Sequence, residues 1–366
     1  MDTSDPNISF DKNNICDHCQ NYYENILPYW NKGVNRINLI EPLLDKIKKN
    51  SNNQNFDCLL GISGGLDSSY LAYVAKKIFG LKPLLFHCDA GWNTEQSVKN
   101  IENIANGLNL DLHTDVIEWS EVKNLQRAFY KSGVPFQDVP QDLAFFSSLY
   151  NYSSKYNIKY ILTGGNFSME SIRGPIQYAY FATDLTLVKD VFSKYGEGNL
   201  DSFPMRDLFN YKIYLKFIKR ISMIKLLDYV PYSKFEAQQT LKKNYDWQPF
   251  RSKHYESILS KFHDAYWTPK RYNFDRRRMY LSSEILTEQL SRENALDSFK
   301  NDKTSDDENK KDFEYIARKL DFSYDEFRKI ENLPKKTFMD FKNKYRLISL
   351  FVKFSNYLNI ERRNFR

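Results

Sequence analysis

A short apolar run, Asp57-Cys58-Leu59-Leu60-Gly61-Ile62, passes directly into Ser63-Gly64-Gly65-Leu66-Asp67-Ser68. Apolar residues then recur at Leu66, Tyr70, Val74 and Ile78, and Gly80 follows as a stop. That order reads as a buried strand, a glycine-rich turn and a helix. The alternation continues with a strand over Pro83–Cys88, then a helix over about 94–108 with Asn93 and Gln96 at capping-box spacing. A strand near 112–117, helical segments at 119–131 and 142–156, and a strand over 159–163 ending at Gly164-Gly165 complete the pattern. Strand–helix alternation with right-handed crossovers predicts an α/β fold: a doubly wound, mainly parallel sheet covered by helices on both faces. Ligands of such sheets lie beyond the carboxyl ends of the strands, where both glycine turns fall.

The flanks differ from this middle. Residues 1–55 are polar and punctuated by Pro6, Pro28 and Gly33, with a helix expected near 36–49 and then the polar linker Lys48–Asn55. Beyond about 205 the chain is rich in basic and aromatic residues: Asp207–Leu227 reads as an amphipathic helix, 233–300 as further helices, and Lys300–Lys311 as a charged mobile loop. The expected units are an N-terminal extension, 1–55, a nucleotide domain, 56–205, and a helical C-terminal region for substrate and partner binding, 206–366.

With 42% hydrophobic residues the chain has ample material for a core, and its net charge of +7 over 366 residues permits an anionic substrate without demanding one. No window approaches the ~18 consecutive apolar residues of a spanning helix. The start, Met1-Asp2-Thr3-Ser4-Asp5-Pro6-Asn7, lacks a secretion signal. Four cysteines are too few to staple the chain, so a reduced, cytoplasmic setting is expected; Cys58 and Cys88 read as small buried hydrophobes.

Chemistry concentrates in Ser63–Ser68. Glycines let backbone N–H groups approach phosphate oxygens, and the following helix N-terminus adds partial positive charge. Ser63 and Ser68 can donate hydroxyl hydrogen bonds to the same oxygens, whereas Asp67 would repel phosphate and is expected to bind Mg²⁺. No Lys follows the glycines and the G-x-G-x-x-G spacing is absent, so neither the P-loop nor the dinucleotide fingerprint applies. Asp89, ending the second strand, is placed to meet the adenosine, or else simply turns the loop. Gly164, Gly165 and Asn166 would close the other side of the crevice.

Ser-Gly-Gly-x-Asp-Ser in this context resembles the loop of the ATP pyrophosphatases, the PP-loop superfamily with an adenine nucleotide alpha hydrolase-like fold. Asp89–Asn103, Leu125-Gln126, Pro140-Gln141-Asp142 and Thr163–Asn166 further resemble the N-acetyl sugar amidotransferases of lipopolysaccharide O-antigen and flagellar glycan synthesis. So do Lys253-His254-Tyr255-Glu256-Ser257, Lys270, Asp275–Arg278, Ser282-Ser283 and Arg292-Glu293. The resemblance implies ATP-dependent conversion of a sugar N-acetyl group to an acetamidino group. The acetamido oxygen attacks the α-phosphorus, pyrophosphate leaves into the loop, and ammonia from a separate glutaminase subunit displaces AMP.

Lys253, His254, Lys270, Asp275, Arg276 and Arg277 are the expected binders of an acetamido sugar nucleotide or nonulosonic acid, set among aromatic residues; a basic surface with buried aromatic anchors is the bland alternative. His254 and Glu256 are the expected proton-transfer groups. Cys16 and Cys19 form half of a zinc-ribbon pattern, and the family carries another C-x-x-C just upstream, so either a longer form supplies that pair and binds zinc, or this member has lost it. The rival reading is a tRNA-modifying PP-loop enzyme that adenylylates a base. It suits the basic charge but lacks a recognisable RNA-binding module, so nucleic acid is not the expected partner.

Overall fold

Leu59 and Leu60 are adjacent and both fully buried, so the first strand has no solvent face. Such a strand belongs in the middle of a covered parallel sheet. The computed structural model, which describes residues 1–30, 32, 36–51, 55–358 and 362, has that architecture. Five strands, β1 Cys58–Gly61, β2 Pro83–Asp89, β3 Leu112–Val116, β4 Tyr160–Leu162 and β5 Ser222–Ile224, pair in the order β3-β2-β1-β4-β5. All pairings are parallel, with Leu59 opposite both Leu84 and Ile161. Strand order reverses between β1 and β4, so the turns after these two strands flank the switch point.

Seven helices carry the account: α1 Ile37–Asn50, α2 Leu66–Tyr73, α3 Glu95–Leu108, α4 Trp119–Ser132, α5 Val139–Lys155, α6 Lys234–Tyr245 and α7 Ile258–Phe262. One sheet face packs Leu59, Phe86 and Ile161 with Val122 and Phe129 of α4 and Leu143 of α5. The other packs Cys58, Leu60, Leu85 and Leu162 with Leu71 of α2, Ile101 and Ile104 of α3 and Leu241 of α6. Cys58 and Cys88 are buried, and burial pushes both thiols far above their ordinary pKa.

Three local expectations need correction. The α3 cap is Thr94, whose side chain accepts from Ser97 N at 3.1 Å. The Asn93 amide instead donates to Asp89, and Gln96 donates to the carbonyls of Gln248 and Pro249. The helix expected over Asp207–Leu227 stops at Ile218, and Arg220 turns the chain in left-handed conformation (φ 55°) into β5, which completes the sheet beside β4. The charged run Lys300–Lys311 enters a helix, Asp306–Lys319: Ser305 and Glu308 form a capping box, three acidic residues fill its first turn, and Phe313 and Ile316 anchor it in the core. Gly33 and residues 52–54 of the expected linker lie outside the described residues. Among the described residues no helix is long and apolar enough to cross a membrane.

Candidate active site

The turn after β1 is built around Gly64. Its φ of 80° is left-handed, and a methyl group there would collide with the carbonyl of Ser97 at the start of α3. The Gly64 carbonyl accepts from Trp247 Nε1 at 2.9 Å and Asn100 Nδ2 at 3.1 Å, so two long-range donors set the turn's shape. Gly65 caps α2 without a side-chain hydrogen bond, which leaves the first N–H groups of the helix available to an anion. The Ser63 and Ser68 hydroxyls stand 3.2 Å apart beside these donors. Across the switch point, a methyl on Gly164 would stand 2.9 Å from Ser68 N, so glycine lets the β4 turn close on the helix start. Asn166 caps the next short helix, accepting from Met169 N at 3.0 Å.

Asp67 sits in the first turn of α2. Tyr232 donates to its Oδ1 at 2.7 Å, and the Lys253 ammonium lies 2.7 Å from its Oδ2. The same ammonium is 2.9 Å from Glu170. Burial alone would lower the Lys253 pKa, but the carboxylates of Asp67 and Glu170 outweigh it and hold the amine charged well above its ordinary range.

Glu256 follows on the same segment. Ser63 Oγ donates to its Oε1 at 3.1 Å, and a methyl on Gly65 would stand 2.8 Å from that oxygen. A carboxylate therefore covers the anion cradle. Backbone bonds from Thr94 N to Glu256 O (3.1 Å) and from Ile258 N to Trp92 O (2.8 Å) fasten this segment to the loop after β2.

Ser63, Gly65, Asp67, Ser68, Gly164, Glu170, Trp247, Lys253 and Glu256 line one cavity of about 460 Å³, together with His87, Asn93, Gln141, Asp142, Phe145, Thr163, Gly165, His254, Arg276 and Tyr280. His87 Nδ1 lies 3.0 Å from the Ile62 carbonyl and Nε2 lies 2.9 Å from Asn93 Nδ2. That pairing requires a neutral ring protonated at Nδ1, and burial lowers its pKa accordingly. Asp89 accepts from Gly91 N at 2.7 Å and from Asn93 Nδ2 at 2.9 Å, which shapes the loop after β2.

Farther from the loop stands a buried charge cluster. Arg276 pairs with Asp138 and lies 3.1 Å from Asp264, and His263 Nδ1 lies 3.3 Å from Asp138. Burial disfavours charge on His263, but Asp138 overrides it and pushes the imidazole up to about 9. Asp138, His263 and Asp264 lie close enough to share a metal ion, yet the Arg276 guanidinium already supplies the cation there. Asp142, one turn along α5, is pushed up to about 7 by burial and by Asp138.

Of the basic residues singled out in the sequence, Lys253, His254 and Arg276 line the cavity. Lys270 is half exposed and pairs with Tyr266 and Glu331, while Asp275 and Arg277 pair with each other at 2.7 Å outside it. Trp247, Tyr232, Glu170, Asp138 and Asp264 join the site although nothing in their local sequence marks them.

Cys16 and Cys19 bring their sulfurs to 3.3 Å, and the hydrogen bond from Cys19 lowers the Cys16 thiol to about 5. His18 is turned away onto Asp5 at 2.9 Å. Two sulfurs do not complete a tetrahedral zinc site, and no third ligand gathers there among the described residues.

Residues 39–240 match the family model for NAD synthase, over half of the chain, and residues 256–359 match the model described as LPS biosynthesis protein WbpG-like, C-terminal domain. No curated protein matches. Among solved structures the chain is similar to the U34-tRNA thiolase NcsA from Methanococcus maripaludis with its 4Fe-4S cluster, at 14% identity, covering 69% of this chain and 80% of that one, with a TM-score of 0.31. It is also similar to the NH3-dependent NAD synthetase from Campylobacter jejuni in complex with the nitrate ion, at 16% identity, covering 56% and 92%, with a TM-score of 0.28.

Proposed function

The chain belongs to the WbpG-like family within the NAD synthase-like PP-loop ATP pyrophosphatases, an ATP-using enzyme of lipopolysaccharide synthesis, and from that premise we propose that it converts a sugar N-acetyl group to an acetamidino group. The observation that carries the reading is the uncapped start of α2 behind Gly64 and Gly65, with Ser63 and Ser68 beside it, opening on the same cavity as Lys253, His254 and Arg276. One wall offers an anion cradle and another offers fixed cations.

In this reading the cradle takes the β- and γ-phosphates of ATP and stabilises the charge that grows as pyrophosphate leaves. The acetamido oxygen, held in line, attacks the α-phosphorus. Asp67 would hold a magnesium ion accompanying ATP, which would supply positive charge to offset that of the phosphates. Lys253, released from Asp67 where Mg²⁺ takes that carboxylate, holds the anionic part of a sugar nucleotide or nonulosonic acid, while Arg276 stays with Asp138 and Asp264, and the neutral His87 and Asn93 face the nucleoside side. Ammonia then displaces AMP. Its source is a separate glutaminase subunit: Cys58 and Cys88 are buried with raised pKa values, and the Cys16 sulfur is turned to Cys19, with no hydrogen bond to a histidine among the described residues.

Incubation with ATP, Mg²⁺, ammonium and a panel of acetamido sugar nucleotides tests the reading. AMP and pyrophosphate should form in step with an amidine product. ADP as product, or AMP release indifferent to every sugar, overturns it.

A further inference from the structure

We propose that the Asp142 carboxylate takes the proton shed by ammonia as it displaces AMP, an assignment that rests on the function proposed above. Asp142 lies in the first turn of α5 and lines the cavity that the loop opens into. Among the described residues its side chain has no hydrogen-bond or ion-pair partner; only its backbone N–H is engaged, by Asp138 O. The turn that carries it is held rigidly. The Gln141 amide donates to Ser260 Oγ at 3.3 Å, and its carbonyl accepts from Ser257 Oγ at 3.0 Å.

The charges facing Asp142 are Asp138 and Asp264, which oppose its ionisation, and Arg276 and His263, which favour it. The two cations are already matched by Asp138 and Asp264. An ionised Asp142 is thus a surplus negative charge, and desolvation leaves its carboxyl balanced near neutrality, at about 7. That suits a group that must be ionised to accept a proton and must then release it.

The other candidates are engaged. Glu256 accepts from Ser63 over the phosphate cradle, and the His254 ring packs against Tyr280 with centroids 5.3 Å apart. Tyr280 in turn reaches the cluster: its OH lies 3.2 Å from Asp264, which pairs with Arg276.

The step balances. Attack of the acetamido oxygen on the α-phosphorus breaks its bond to pyrophosphate and leaves an imidoyl adenylate protonated on the sugar nitrogen. The ammonia lone pair forms the new C–N bond, and the C=N π pair returns to the sugar nitrogen. The ammonium of this adduct passes one proton to Asp142. The freed pair then forms the new C=N bond as the C–O bond breaks and AMP leaves, giving the amidinium. Asp142 releases its proton to solvent.

Exchange of labelled pyrophosphate into ATP reports adenylylation without ammonia, whereas amidine formation reports both halves. Asp142→Asn should leave sugar-dependent exchange close to wild type and cut amidine formation by about 100-fold or more. In the wild type at fixed free-ammonia concentration, amidine formation should rise with pH through about 7, a limb absent from exchange. Loss of both activities in the variant, or of neither, overturns the assignment. If the variant does not fold, the wild-type profile decides: the limb in amidination alone supports it, and a limb shared by both or absent from both overturns it. A wild type that shows no sugar-dependent exchange contradicts the functional reading itself, and the assignment falls with it.

Discussion

The ammonium of Lys253 lies 2.7 Å from the carboxylate of Asp67, so the loop aspartate already carries a cation supplied by the chain. Glu170 shares that cation at 2.9 Å, and the lysine side chain is only 14% exposed. Removing one partner of such a group leaves unmatched charge in a poorly solvated place. Lys253→Met should cost about 3 kcal/mol of stability. Mg²⁺ should raise the melting temperature of the variant more than that of the wild type, because two carboxylates are then open to it. Equal Mg²⁺ responses by differential scanning fluorimetry would show that Lys253 does not shield Asp67.

The cradle depends on one backbone conformation. Gly64→Ala would force a methyl group into the Ser97 carbonyl at a left-handed φ, so ATP binding by calorimetry should fall below detection. Trp247→Phe tests the brace separately. Losing the indole donor leaves Asn100 on the Gly64 carbonyl and should cost about 1 kcal/mol, raising KM for ATP about fivefold with little change in fold. An unchanged KM would mean that the turn holds its shape without Trp247.

Glu256 lies over the cradle, its oxygen accepting from Ser63. Two anions cannot share that place, so the carboxylate must move aside as ATP enters. Glu256→Gln removes the repulsion and keeps the hydrogen-bond acceptor, so KM for ATP should fall about fivefold. A rise in KM would assign the carboxylate a part in holding MgATP.

The alternation of the first four strands with helices and the two glycine turns were legible because each rests on local periodicity and on residues a few positions apart. The glycine string marked the Gly64 turn, but the contact that demands glycine there, the Ser97 carbonyl, comes from α3. What closes around it was not legible. Tyr232 reaches Asp67 across 165 positions, and Asp138 meets Arg276 across 138. No spacing rule encodes such meetings, because they are set by how the C-terminal helices dock on the sheet. The basic run near residue 276 shows the same limit. Arg276 turns into the cavity, Arg277 onto Asp275 and Arg278 onto Asp2, a division that helical geometry requires but composition cannot assign. The segment Asp306–Lys311 misled because its charges were read as solvation, when they cap a helix whose anchors come later.

The buried cluster gives a pH dependence of stability with a defined sign. His263 is held up to about 9 against an ordinary value near 6.5, so its contribution is fully present below about 6.5 and is lost as pH rises through about 9. The Asp142 carboxyl, raised to about 7, acts in the same direction at lower pH, since the folded state binds its proton more tightly than the unfolded state. Cys16, held down to about 5, acts in the opposite direction over the same range, so the sign is read from a difference: the midpoint advantage of the wild type over His263→Asn should shrink from pH 6 to pH 9. An advantage that stays constant or grows over this range contradicts a charged His263 in the cluster.

The central claim is that an N-acyl oxygen captures the nucleotidyl half of ATP. An acetamido sugar nucleotide carrying heavy oxygen in its N-acetyl carbonyl tests it in one mass spectrum. The account predicts heavy oxygen in the phosphate of AMP and an amidine product free of it. Label retained in the sugar, or appearing in water while ATP yields ADP, would contradict it.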